Sequence, residues 1–164
     1  TTWGLLDKWA VHLGGGLTHR LTRNDALMIK ENDLTSMDDS SLENDKKIAQ
    51  IIQTLELNDV SSFIEIEVRN EKEAITAAAV WQQTHENAET KLVVMLDNFG
   101  PERCKDVVKQ LEDMGLREAI ILEASGNITF EKLGEWFECG VDVISTSAIN
   151  RGVKPLDISM IIGD

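Results

Sequence analysis

The densest group of residues that can bind an anion lies near the start of the chain, in the segment GGGLTHR. Three glycines at 14–16 allow a ligand to approach the backbone closely, or allow the backbone to adopt positive φ. Four potential cations follow them, namely His19, Arg20, Arg23 and Lys30. Arginine offers a planar fork of donors to a carboxylate or phosphate, and lysine offers a point charge. The pattern predicts an anion site, with a glycine-rich helix end followed by solvated basic residues as the alternative.

Polar residues also close or follow successive apolar runs along the chain. They are Lys30, Glu67, Asp97, Glu123 and Ser145. In a parallel sheet, ligands bind outside the carboxyl ends of the strands. The order of these residues therefore predicts a shared rim, although the loops after strands are commonly polar in any protein.

Two of these residues, Glu67 and Asp97, form a candidate carboxylate pair on neighbouring strands. Such a pair can coordinate Mg²⁺ or contact sugar hydroxyls. It can equally serve as a general acid and base, and two solvated acids at strand ends are the remaining alternative.

A turn of small residues, EASGNIT at 123–129, leads into a predicted helix. Backbone N–H groups at such a turn can hold a phosphate. From the residues alone, an ordinary strand–helix connection explains the turn equally well.

Short apolar runs rich in β-branched residues alternate with amphipathic helical patterns, which predicts an α/β fold with a parallel sheet. Six strands are expected, at 26–29, 63–68, 92–96, 119–122, 141–144 and 158–162. Helices are expected after start signals at Ser40, Asn70, Pro101 and Thr129. An N-terminal helix is expected around Trp3 and Trp9. The tryptophans are expected in the core, and the acidic stretch 32–44 is expected to be a mobile loop.

Composition excludes several classes of protein. The 164 residues include 16 basic and 29 acidic ones, for a net charge of −13, which argues against a nucleic-acid or anionic membrane surface. No apolar window approaches the roughly 18 residues of a membrane span, and no signal peptide is recognisable. Cys104 and Cys139 are too few for a disulfide framework. The expectation is one cytoplasmic α/β domain over 1–164, with both thiols buried.

Five segments together resemble the quinolinate phosphoribosyltransferase family, also called carboxylating nicotinate-nucleotide pyrophosphorylases. They are GGGLTHRLTRNDALMIKEND, FIEIEVRN, VVMLDNFGPE, LEASGNIT and GVDVISTSAINRGVKPLDIS. The resemblance implies an incomplete, open α/β barrel with mostly parallel strands, similar to a TIM barrel. It implies phosphoribosyl transfer from 5-phosphoribosyl-1-pyrophosphate to quinolinate with Mg²⁺, giving nicotinate mononucleotide, CO₂ and pyrophosphate in NAD synthesis.

The resemblance also implies roles for single residues. His19, Arg20 and Lys30 would bind quinolinate, with Arg20 on a carboxylate. Glu67 and Asp97 would hold the ribose hydroxyls and Mg²⁺, directly or through water, and with Lys30 would be the catalytic residues. The donor would be bound by these two acids and by Ser125, Gly126, Asn127, Ser145 and Ser147.

The chain departs from the family pattern at several positions, among them Asp33, Asn127, Ser147 and Arg151. A related phosphoribosyltransferase acting on another aromatic acid is therefore one alternative, and a non-catalytic phosphate-binding or assembly barrel is another. By the same resemblance, the chain begins inside the family's R-K-T-T-P-G segment, at Thr1 and Thr2, so it lacks that segment's Arg and Lys and the family's N-terminal domain. This chain alone is therefore expected to be folded, weakly active or inactive, and assembled as a homodimer or higher homo-oligomer.

Overall fold

A computed structural model describes residues 3–37, 41–57, 62–151 and 155–162. Within them, five parallel strands form one open sheet in the order β1-β2-β3-β4-β5. The strands are β1 (Leu27–Ile29), β2 (Ile64–Val68), β3 (Leu92–Asp97), β4 (Ile120–Ser125) and β5 (Val143–Ser145). The predicted α/β class, with parallel strands and an unclosed barrel, is confirmed.

Helices separate most of these strands. They are α1 (Gly4–Leu13), α2 (Glu31–Thr35), α3 (Asn44–Thr54), α4 (Glu71–Thr84) and α5 (Pro101–Asp113), with 3₁₀ helices at Arg117–Ala119 and Phe130–Trp136. The start signals at Asn70 and Pro101 are confirmed, since the Asn70 side chain accepts a 2.9 Å hydrogen bond from the Glu73 amide and Pro101 is the first residue of α5. No helix in the described part of the chain has the length and apolar character to span a membrane.

The two faces of the sheet differ in chemistry because strand side chains alternate. One face packs against the helices in an apolar core that includes Ile66, Val94 and Leu122, all fully buried. The opposite face presents Glu65 and Glu67 from β2 and Glu123 from β4. Glu67 and Glu123, two of the residues predicted at the rim, therefore lie on this polar face.

The prediction of a sixth strand at 158–162 is wrong. Residues 155–162 have no regular secondary structure, and the side chains of Ile158 and Ile161 are 79% and 91% exposed. An apolar run forms a strand only where a neighbouring edge satisfies its backbone groups, and this segment has no ladder partner among the described residues.

The prediction that the tryptophans lie in the core is correct for two of the four and wrong for the other two. Trp81 and Trp136 are buried, but Trp3 and Trp9 are 67% and 60% exposed. The predicted N-terminal helix exists as α1, yet none of its residues is buried. Periodicity predicted the helix correctly, but an apolar stripe is buried only where another element covers it.

The interpretation of the acidic stretch 32–44 as a loop is also corrected. Glu31–Thr35 forms α2, capped by a hydrogen bond of 2.8 Å from the Lys30 amide to the Asp33 carboxylate. Asp33, one of the departures from the family pattern, therefore has a capping role. The predicted start signal at Ser40 lies outside the described residues, although α3 itself follows.

Both cysteines are buried and free, as expected. Burial raises the pKa of the Cys104 thiol to about 12, so this thiol stays protonated and unreactive near neutral pH.

The last strand is fastened to the sheet by Asp142. Its carboxylate accepts hydrogen bonds from the Leu122 amide, at 2.7 Å, and from Arg117, at 2.9 Å. Burial alone would raise the Asp142 pKa, but these two bonds outweigh it and hold the pKa below its ordinary value.

Asp142→Ala is expected to lower the free energy of unfolding at pH 7 by about 1–2 kcal/mol, because both bonds to a partly exposed carboxylate are lost. Urea denaturation measures the loss. The exposed Asp106→Ala is the control and should change stability by less than about 0.5 kcal/mol. Equal effects of the two variants would show that the β5 contacts are unimportant.

Candidate active site

The carboxyl ends of the five strands bring the predicted rim residues to one edge of the sheet. Asp97 is the register partner of Ser125, and Ser125 is the register partner of Ser145. Lys30 directly follows β1, and Glu67 lies one residue before the end of β2. Sequence order and the parallel topology are sufficient to produce this arrangement.

Lys30 and Glu67 form an ion pair at this edge. The Lys30 Nζ lies 2.6 Å from Glu67 Oε2, and Arg69 lies 3.9 Å from the other Glu67 oxygen. Arg69 also pairs with Glu31. Glu67 is only 10% exposed, whereas Lys30 is 45% exposed. The lysine is therefore accessible to an anion while its position is set by a nearly buried carboxylate.

A lysine of α1 holds the backbone at the start of the cationic segment, which we define as residues 19–30. Lys8 Nζ donates hydrogen bonds of 2.8 Å and 2.7 Å to the backbone carbonyls of His19 and Arg20. The Arg20 guanidinium donates in turn to the carbonyl of Ala26, at 3.1 Å. The segment thus has a defined conformation, with Arg20 half-buried. Arg23 is exposed, and the structure gives it no contact with this site.

His19 reaches into the polar face of the sheet. Its Nε2 lies 2.8 Å from Glu65 Oε2, and its ring meets Phe63 edge-on. Glu65 is fully buried and Glu123 is 4% exposed. The hydrogen bond to Glu65 raises the pKa of His19, although burial opposes it. Burial raises the pKa of the Glu123 carboxyl, and the neighbouring Glu65 charge raises it further.

The turn after β4 is locked to the end of β3. The Asn98 amide donates to the Ser125 carbonyl at 2.9 Å, and the Asn127 side chain donates to Asn98 Oδ1 at 2.8 Å. Gly126 has φ +100°, and a Cβ there would lie 2.3 Å from Asn98 Oδ1. Asn98 also donates to the Asp97 carboxylate at 2.9 Å. Ser125, Gly126, Asn127 and Asp97 therefore form one connected unit.

Ser145 and Ser147 differ in their surroundings. Ser145 ends β5 and is half-buried beside Glu123, whose pKa its side-chain hydrogen bond lowers. Ser147 is exposed, and its carbonyl accepts bonds from the Asn150 and Arg151 amides. The structure thus brings Ser145, but not the Ser147 side chain, into contact with the polar face of the sheet.

Three residues of this site, Glu65, Asn98 and Lys8, were not predicted from the sequence. Glu65 was detectable, since period-two alternation places it on the same face as Glu67. Asn98 follows Asp97 directly, yet its bonds to the next turn are visible only in three dimensions. Lys8 gave no signal, because a contact from α1 to a loop eleven residues later has no periodicity.

The fold and the site define a class: an α/β protein of the open-barrel type. At the carboxyl edge of its parallel sheet lie a Lys30–Glu67 ion pair, the acid Asp97 on the next strand and a glycine turn. The profile of the quinolinate phosphoribosyl transferase C-terminal domain matches residues 3–161. The chain belongs to this family.

Full-length relatives agree with this assignment. The chain is 34% identical over 156 residues to a probable carboxylating nicotinate-nucleotide pyrophosphorylase of Archaeoglobus fulgidus, covering 95% of this chain and 53% of the relative. It is 35% identical to quinolinate phosphoribosyltransferase [decarboxylating] 1b of Nicotiana tabacum, covering 95% and 44%. The chain thus spans about half the length of these curated relatives.

Solved structures show the same similarity. The nicotinate-nucleotide pyrophosphorylase of Francisella tularensis superposes with a TM-score of 0.68 and 32% identity, over 93% of this chain and 46% of that chain. NadC from Streptococcus pyogenes superposes with a TM-score of 0.73 and 26% identity, over 97% and 48%.

Proposed function

We propose that this chain provides the barrel of a cytoplasmic enzyme that transfers phosphoribosyl from 5-phosphoribosyl-1-pyrophosphate to quinolinate. The products are nicotinate mononucleotide, CO₂ and pyrophosphate. The observation that carries the proposal is the common carboxyl edge of the sheet. It carries the Lys30–Glu67 pair at β1 and β2, and beside it, at β3 and β4, the connected unit of Asp97 and the turn 125–127. An anionic acceptor and an anionic donor need cations, acids and backbone donors together, and this edge presents all three.

The acceptor side of the proposed site is cationic. His19, Arg20 and Lys30 offer positive charge to the two carboxylates of quinolinate, in a chain whose net charge is −13. Glu65 favours the charged form of His19 by raising its pKa. Lys30 also contacts Glu67, so it stands between the acceptor and the acids of the donor side.

The donor side is acidic and fits Mg²⁺. This ion is usually held by one or two carboxylates together with substrate phosphates and water. Glu67 and Asp97 provide two carboxylates on neighbouring strands, one nearly buried and one half-buried. They would hold Mg²⁺ directly or through water, and the ion would neutralise charge on the pyrophosphate. The turn 125–127 would offer its backbone N–H groups to the 5′-phosphate of the donor.

The chemistry assigned to the residues follows from their charges. The bond from the ribose carbon to pyrophosphate breaks, and the pyridine nitrogen bonds to that carbon. Positive charge develops on the ribose as pyrophosphate leaves, and the fixed carboxylates of Glu67 and Asp97 stabilise it. Lys30 and Arg20 hold the ring so that its nitrogen faces the ribose. The ring then loses one carboxylate as CO₂ and takes up a proton.

The proposal includes a homodimer or higher homo-oligomer. Two features support it. Within the described residues, the open sheet ends at β1 and β5 with no further strand paired to either. Trp3, which precedes α1, and Leu6 and Trp9 within α1 are all exposed. We expect light scattering to give a mass of at least two chains, and we expect this chain alone to be weakly active or inactive.

Arg20→Ala is expected to weaken quinolinate binding by about 2–4 kcal/mol, because a carboxylate of quinolinate loses its half-buried guanidinium partner. Calorimetric titration measures the change. Arg23→Ala is the matched control: it removes the same charge from an exposed position three residues away. Similar losses in both variants would mean that only overall charge matters.

The same titration, repeated with aromatic acids of one and two carboxylates, defines the acceptor. Quinolinate should bind more tightly than its monocarboxylate analogues in the unmodified chain. A monocarboxylate that bound more tightly would assign the site to another aromatic acid.

A further inference from the structure

We propose that His19, Glu65 and Glu123 form a binding site for a divalent transition-metal ion, within the polar face of the sheet. This site differs from the Glu67–Asp97 pair in residues, burial and donor chemistry. It shares no ligand with that pair. It does use His19, which the proposed function places on the acceptor side. With the ion bound, His19 would be a neutral ligand, and the ion in place of an imidazolium would present positive charge to an acceptor carboxylate.

The geometry of the three side chains suits an ion. One ligand atom from each residue lies within 4.8 Å of the other two, and His19 Nε2 is 2.8 Å from Glu65 Oε2. Ions such as Zn²⁺ bind nitrogen and carboxylate oxygen at roughly 2.0–2.2 Å in a tetrahedral arrangement, so two ligand atoms lie about 3.4 Å apart. The observed separations therefore need only small side-chain movements to close on an ion.

A second observation points to a missing positive partner. Glu65 Oε1 and Glu123 Oε1 are both buried, and neither has a hydrogen-bond partner among the residues that the structure describes. Burial raises the pKa of Glu123, and the neighbouring Glu65 charge raises it further. Unpaired carboxylates in a protein interior carry a large desolvation cost. A divalent cation offsets both negative charges and supplies the unpartnered oxygens with a ligand contact.

The nearby cations are engaged elsewhere. Lys30 is bound to Glu67 at 2.6 Å, and Arg20 donates to the Ala26 carbonyl. Ser145, beside Glu123, contributes a neutral hydroxyl. Among the described residues, His19 is thus the cationic group that contacts the pair, through Glu65 at 2.8 Å, and an imidazolium there balances only one of the two carboxylates.

The donor set selects the class of ion. One imidazole nitrogen with two carboxylates suits Zn²⁺, Mn²⁺ or Fe²⁺, whereas Mg²⁺ prefers oxygen ligands alone. Three protein ligands leave at least one coordination position open to water or to an anion. The ion would also tie the glycine-rich segment that carries His19 to strands β2 and β4, which fixes the cationic loop over the sheet.

The test is calorimetric titration of the chelator-treated chain with Zn²⁺, and separately with Mg²⁺. We expect one Zn²⁺ per chain, with affinity reduced about 100-fold or more in Glu123→Gln and in His19→Gln. Asp97→Asn should retain the Zn²⁺ affinity, which separates this site from the donor's acids. Circular dichroism confirms that each variant is folded; glutamine keeps the size of Glu123, and His19 lies on a loop.

X-ray absorption of the Zn²⁺-bound chain identifies the ligands. The proposal expects a first shell of nitrogen and oxygen at about 2.0–2.1 Å, without sulfur. Absence of Zn²⁺ binding, unchanged affinity in Glu123→Gln, or a sulfur-containing shell would each overturn it. If no ion binds, we would infer instead that Glu65 and Glu123 share a proton. Neither measurement uses quinolinate or the phosphoribosyl donor, so failure here leaves the proposed function standing.

Discussion

Gly126→Ala is expected to lower the free energy of unfolding by at least about 2 kcal/mol and to abolish phosphate binding at the turn 125–127. Gly126 has φ +100°, which is strained for any residue with a Cβ. The added Cβ would also lie 2.6 Å from Asn98 Cγ and 2.9 Å from the Asn98 backbone nitrogen. The turn would have to leave Asn98, and the link to Asp97 would be lost.

Urea denaturation and calorimetry with inorganic phosphate check this expectation. Gly134→Ala is the control, because nothing lies within 4 Å of a Cβ at that position. It should be neutral or slightly stabilising, since alanine loses less backbone entropy than glycine. Equal stability and equal phosphate affinity in Gly126→Ala would refute the role given to the Asn98 contact.

Asp97→Asn is expected to reduce kcat/KM for the phosphoribosyl donor by about 10²–10³, the usual effect of removing one group that stabilises developing charge. Binding of quinolinate should be unchanged or tighter, because a repelling carboxylate has been removed from beside an anion. The asparagine can still accept the hydrogen bond from Asn98, so the turn should persist.

Steady-state kinetics on the protein at its full native length, with each substrate varied in turn, separates the two effects. Asp113 is exposed at the end of α5. Asp113→Asn controls for the change in net charge and should change neither kcat/KM nor quinolinate binding. Loss of quinolinate affinity alone would reverse the assignment of Asp97 to the donor.

The rim of the site was predictable because parallel topology converts sequence order into spatial order. Once Lys30, Glu67, Asp97 and Ser145 each follow an apolar run, a parallel sheet must bring them to one edge. The buried strands and the cap at Asn70 were predictable for a similar reason, since they depend on local patterns of two to four residues.

The contacts that complete the site depend on residues far apart in sequence. His19 and Glu65 are 46 positions apart, and Asn98 and Asn127 are 29 apart, so no local pattern joins them. Alternation does place Glu65 on the polar face, but only the structure shows which group meets it there.

The wrong predictions concern burial. The helix α1 has the expected periodicity, yet Trp3 and Trp9 are exposed because no described element covers that face. Periodicity shows which face of a helix is apolar, while burial depends on what packs against it. The run 158–162 failed as a strand for the corresponding reason, the lack of a described neighbouring strand.

The most direct test of the proposed function is the reaction itself, measured on the protein that carries this chain at its full native length. With quinolinate, 5-phosphoribosyl-1-pyrophosphate and Mg²⁺, we expect nicotinate mononucleotide, CO₂ and pyrophosphate in equal amounts, with loss of all three in Asp97→Asn. Binding of the donor or of phosphate without any product would contradict the proposal and identify a non-catalytic phosphate-binding barrel. Product formation from another aromatic acid, and not from quinolinate, would contradict the assigned substrate.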